Sequence, residues 1–222
     1  MIIAERKPLS EILDMLEGAA KVLVLGCRGC VAVCSAGGDK EVAVLAAALR
    51  LGRKLRGGTI TVAEETYVRQ CDPEYLEPLK TAGKDYDAVL SIACGVGVNF
   101  IADCCPGVRV LPGLNTTFYG ANLSSGEWVE KCAGCGACVL HLTGGLCPVA
   151  RCAKSLSNGP CGGSVGGRCE IHPDVPCVWH QIHEKLGELG QSRRMEEIMP
   201  IRDWVPAGHG GPRRRVREDL KP

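Results

Sequence analysis

Two periodicities alternate along the first half of the chain. Leu9, Ile12, Leu13 and Leu16 recur at i, i+3, i+4 and i+7, which predicts a short helix over residues 8–19, with Pro8 suited to its first turn. Val22, Leu23, Val24 and Leu25 then run without interruption up to Gly26, the pattern of a strand buried on both faces. Helical spacing returns with Val44, Ala48, Leu51 and Leu55, between Asp39 as a candidate cap and a stop at Gly57-Gly58. The alternation continues with a strand over 59–62, a helix near 73–81, a strand over 88–93, a helix from about Val96 to Asp103 and a strand over 108–111. Strands separated by helices predict an α/β fold, a small doubly wound parallel sheet whose ligands sit beyond the carboxyl ends of its strands.

From Ala121 the pattern changes. Strand-like runs vanish, glycine pairs multiply and large apolar residues become few, so a hydrophobic core is scarcely expected there. Ile182, Leu186 and Leu189 mark one face of a helix over 179–189, and after Gln191 the chain becomes rich in Pro, Gly and Arg. The expected organisation is an α/β domain at 1–120, an irregular cysteine-rich metal-binding domain at 121–180, and, at 181–222, a helix and a tail that is disordered or wraps a partner.

Cysteine supplies the candidate chemistry: 15 of 222 residues, against only 4% aromatic residues. A disulfide scaffold is a short secreted domain, and MIIAERKPLSEILDML has no signal-peptide pattern, so a cytoplasmic home with reduced thiols is expected. No apolar run is long enough to insert in a membrane. The balance of 26 Lys+Arg against 25 Asp+Glu, with Arg213-Arg214-Arg215 as the one basic cluster, argues against nucleic acid as a general partner. Other motifs are weak or missing. Gly95-Val-Gly97-Val-Asn-Phe100 has Phe where a dinucleotide fingerprint needs a third small residue, and there is no phosphate loop, HExxH or serine triad.

Three groups of thiols stand out. Cys132-x2-Cys135-x2-Cys138 followed by Cys147-Pro148 has ferredoxin-type spacing for a 4Fe–4S cluster, in which two-residue spacers let successive thiolates wrap one face of a cubane. A tetrathiolate zinc knuckle is the alternative. Cys152, Cys161, Cys169 and Cys177 form a second set, open to zinc or a further cluster, while His180 and His183 read as surface histidines. Cys27, Cys30 and Cys34 follow the first buried strand as C-x2-C-x3-C. A fourth ligand can come from Cys94, just after the third strand, or from Cys71, after the second, because the usual winding places those strands on either side of the first. Buried apolar thiols and a C-x-x-C redox pair are the competing readings. Cys104 and Cys105 fall at the opposite edge and read as bystanders.

On two stretches the chain resembles the MetV family, the iron–sulfur small subunits of methylenetetrahydrofolate reductases of acetogenic bacteria. The first is Gly26-Cys27-x2-Cys30-x3-Cys34 with Gly37-Gly38 and later Cys94-Gly95-Val96-Gly97-Val98. The second runs from Lys154-Ser-Leu156-x-Asn158-Gly159-Pro160-Cys161-Gly162-Gly163 through Cys169-Glu170 to Cys177-x-Trp179. The resemblance implies a non-catalytic subunit that relays electrons between an external donor protein and the flavin of a MetF partner in the Wood–Ljungdahl pathway. Two 4Fe–4S clusters would be held by Cys132, Cys135, Cys138 and Cys147 and by Cys27, Cys30, Cys34 and Cys94, with Cys71 as the substitute ligand. The flavin would lie on the partner alone.

Overall fold

The computed structural model describes residues 1–208 and 211–221, and positions 209, 210 and 222 of the expected tail lie outside them. The chain forms two compact units, Met1–Val129 and Glu130–Pro222. The first begins with β1 (Ile2–Arg6), α1 (Leu9–Met15), β2 (Lys21–Cys27), α2 (Cys30–Val33) and α3 (Asp39–Leu55). It continues through β3 (Thr61–Tyr67), α4 (Glu77–Ala82), β4 (Ala88–Ile92), α5 (Gly95–Cys104) and β5 (Val110–Pro112).

A four-stranded parallel sheet runs in the order β3-β2-β4-β5. The expected flanking of the first buried strand is therefore observed: β2 pairs in parallel with β3 on one side and β4 on the other. Successive residues of a strand face opposite sides, so the apolar run in β2 serves two cores at once. Val22 and Val24 join Ile12, Leu16, Leu45 and Leu49 from α1 and α3. Leu23 and Leu25 join Leu76, Leu79 and Ile101 on the other face.

The structure corrects the expected burial of α3. Val44, Leu51 and Leu55 are exposed, and the buried face is Val42, Leu45, Ala46, Leu49 and Gly52. The small residues explain the choice, because a methyl at Gly52 would lie 2.7 Å from Leu13 Cδ1, so only this face lets α3 approach α1 so closely. A second correction is an antiparallel sheet, order β1-β6-β7, which adds β6 (Leu114–Ser124) and β7 (Glu127–Cys132) where strand-like runs were expected to end. Much of β6 is exposed, which keeps its apolar alternation weak in the sequence.

In the second unit α6 (Pro148–Arg151) and α7 (Val178–Glu188) are joined by turns. Contrary to expectation this unit has a small core: Val178, Trp179, Ile182 and Leu186 of α7, packed with Leu146, Cys152, Cys177, Met195 and Met199. The start of the tail thus folds back, and Met199 N donates to Asn158 Oδ1 at 3.0 Å. Among the described residues no helix is long and apolar enough to cross a membrane.

Candidate metal centres

The N-terminal thiols lie at the carboxyl edge of the parallel sheet. Cys27 is the last residue of β2, Cys30 opens α2, and Cys94 caps the N-terminus of α5 directly after β4. Cys27 and Cys94 are buried, Cys30 is half-buried and Cys71 is exposed. The loop after β3 carries Cys71 to this edge, and Gln70 fixes the loop there. Fully buried, Gln70 donates from Nε2 to Leu25 O at 3.0 Å and Gly26 O at 2.8 Å, and its Oε1 accepts from Ser91 Oγ on β4 at 2.6 Å. Gly97 permits the approach, since a methyl there would stand 3.0 Å from Gln70 Cβ. Desolvation by the surrounding loop pushes the Cys71 thiol up in pKa, and its neighbours Cys94 and Cys27 push the same way.

Cys34 is held differently. Its Sγ lies 3.6 Å from Val31 O and 3.9 Å from Ala4 O. Both are acceptors, so this sulfur is engaged as a hydrogen-bond donor to the backbone. With Ile3, Ala4, Phe118 and Trp128 it lines a cavity of about 630 Å³ against the antiparallel sheet. Cys104 and Cys105 sit at the C-terminal end of α5, and Cys105 is buried in the second core cluster.

The loop from Cys132 to Cys138 turns through Gly134 and Gly136, both at positive φ (62° and 79°), which a side chain would strain. That turn aims Gly134 N at Cys132 Sγ, 3.4 Å away. Cys147 caps α6 and accepts from Ala150 N at 3.4 Å. Cys135 is half-buried and is touched by the guanidinium of Arg202, a residue for which no sequence motif gave a role. Lys131, beside Cys132, is lowered in pKa by desolvation and then by the positive charge of Arg151 on α6.

All four thiols of the second set, Cys152, Cys161, Cys169 and Cys177, line one cavity of about 20 Å³. Short bridges between Val165 and Arg168 and between Arg168 and Pro176 fold this loop, and Trp179 Nε1 pins it to Leu156 O at 3.0 Å. Glu170 accepts from Cys161 Sγ and from Lys154 Nζ. Burial raises the Cys177 thiol, but N–H groups of His180 and Trp179 and the Ser164 hydroxyl outweigh it and hold its pKa below the ordinary value. His172 and His180 pair with Asp174 and Glu184 on the surface.

Among the described residues no group of three or more Cys, His, Asp or Glu side chains is arranged so that it could hold a metal ion. The donor set nevertheless fits thiolate ligation. Backbone N–H groups are aimed at Cys132, Cys147 and Cys161, and such bonds favour the anionic sulfur that binds iron or zinc.

Residues 111–205 match the family model described as "Methylene-tetrahydrofolate reductase C terminal". No curated protein and no solved structure matches the chain. The matched segment includes every cysteine of the second unit, and that part of the chain is related to a methylene-tetrahydrofolate reductase domain.

Proposed function

We propose that the chain is the iron–sulfur electron-transfer subunit of a methylenetetrahydrofolate reductase complex of the MetV–MetF type, serving the Wood–Ljungdahl pathway. It relays electrons between an external donor and the flavin of the partner subunit. One observation carries this reading: the segment related to a reductase domain is also the segment with two four-cysteine sets, and N–H donors are aimed at sulfurs in both. When bound, the clusters supply one-electron carriers, and the protein contributes burial, charge and N–H···S bonds that set their potentials.

Cys132, Cys135, Cys138 and Cys147 are assigned to one 4Fe–4S cluster. At the sheet edge the Gln70 anchor, which fixes the loop of Cys71 to the ends of β2 and β4, favours Cys27, Cys30, Cys71 and Cys94 as the second ligand set, with Cys34 as a structural thiol. Anaerobically purified Cys71→Ala is then expected to lose about half its iron and sulfide, and Cys34→Ala to keep nearly all of it, with some loss of thermal stability. Equal loss in both variants would return Cys34 to the ligand set.

The second set of the matched segment is assigned to zinc. Its cavity holds about one atom-sized guest, whereas a cubane has eight core atoms. The same observation supports a second reading in which zinc fixes a docking surface for a flavoenzyme and the chain carries no electrons. Iron, zinc and acid-labile sulfide per chain decide between them. About eight irons and one zinc are expected, about twelve irons would make the last site a cluster, and zinc alone would leave only the docking role.

A further inference from the structure

The end of the described chain holds a cation in an unusual setting. Arg202 donates from Nη2 to Ala137 O at 2.6 Å and contacts Cys135 Sγ with the same nitrogen. Its guanidinium also lies over the Trp204 ring, 4.8 Å from the centroid. The remaining donors, Nε and Nη1, are buried without a hydrogen-bond partner. Asp203, the nearest carboxylate in sequence, accepts from Val205 N at 2.9 Å.

A half-buried guanidinium held by one carbonyl and one sulfur, with two buried nitrogens left without a partner, has its charge only partly compensated, and that is costly. Neutral thiols would leave that cost in place. Thiolates around a metal cluster remove it, because the ligated group is anionic and its sulfurs accept several N–H bonds at once.

Resting on the proposed iron–sulfur reading, we infer that Arg202 is a positioning and potential-setting residue for the Cys132–Cys147 cluster. It supplies the positive charge and N–H donors that favour the reduced, more negative state. Arg213 is a natural comparison: it straps the same loop by donating to Gly134 O at 2.8 Å and to Pro206 O, without touching a sulfur.

The test is an EPR-monitored redox titration of full-length protein purified without oxygen, with iron content measured on each sample. In Arg202→Gln one of the two cluster signals should shift to a more negative potential while the other stays, with a smaller shift in Arg202→Lys and none in Arg213→Gln. Iron retained with both potentials unchanged in Arg202→Gln overturns the inference, as does an equal shift in Arg213→Gln. Should Arg202→Gln lose the iron of this site, Arg202→Lys decides by the same criterion. Wild-type protein without iron would instead defeat the iron–sulfur reading itself, a separate outcome.

Discussion

Gln70→Ala is expected to unfasten the thiol edge proposed as the N-terminal metal site and to lower the stability of the first unit by about 3 kcal/mol. The amide of Gln70, together with the Ser91 hydroxyl, links the ends of β2 and β4. Its removal leaves Leu25 O and Gly26 O without their buried amide donor and takes the acceptor from the Ser91 hydroxyl. Each such loss costs about 1–3 kcal/mol when water cannot enter. Ser91 Oγ also accepts from Ala93 N, so the disturbance reaches the residue before Cys94. For a domain of this size the stability change corresponds to a fall in melting temperature of roughly 6–12 °C. Gln70→Met separates polar from packing effects, because it keeps nearly the same volume while discarding the amide. Both variants should release Cys71 and, on the proposed iron–sulfur reading, lose iron from the sheet-edge site while keeping that of the Cys132 site. A melting temperature within about 2 °C of wild type, with full iron, would show that the amide network does not hold Cys71 in place.

Gln70 also marks the limit of what the sequence discloses. The thiols at Cys27 and Cys94 were legible because a parallel sheet puts its functional residues after its strands, and the apolar runs that locate β2 and β4 are unmistakable. A glutamine in a loop carries no such signal. Its burial follows from tertiary approach, and only the small Gly97 beside it offers a hint, one that reads equally well as part of a tight turn. The face of α3 was misread for a related reason: large apolar residues mark a stripe on each side of the helix, and the side that can pack closely is chosen by Ala46 and Gly52. In the second unit the cysteine spacings were visible, whereas Arg202 lay in a stretch whose composition suggested only a tail. Its approach to Cys135 depends on Met195 and Met199 anchoring that stretch to α7.

The largest loss of all is expected from Gly37→Ala. An added methyl would lie 1.8 Å from Ile92 O, 2.8 Å from Val31 Cγ2 and 3.0 Å from the Ile92 carbonyl carbon. The first of these is backbone at the end of β4, which cannot rotate out of the way as a side chain could. Gly37 O in turn accepts from Cys27 N at 2.9 Å, and Gly37 N donates to Val31 O at 3.1 Å, so the residue clamps the loop after α2 between β2 and β4. Relieving the clash must move either the loop, which carries Cys34 and is bonded to Cys27, or the strand end that precedes Cys94. Overpacking of a close-packed core costs about 1–3 kcal/mol, and a rigid backbone contact places this case at or beyond the upper end. Little folded protein, or folded protein without iron at the sheet edge, is the expected result. Gly58→Ala serves as the control, since the atoms nearest its methyl all belong to Arg53, with side-chain Cδ at 3.2 Å and Cγ at 3.5 Å and the carbonyl oxygen at an ordinary 3.8 Å. Circular dichroism melts and iron content of the two variants give the comparison. If Gly37→Ala melts with Gly58→Ala and keeps its iron, the close approach of this loop to β4 is not what shapes the thiol edge.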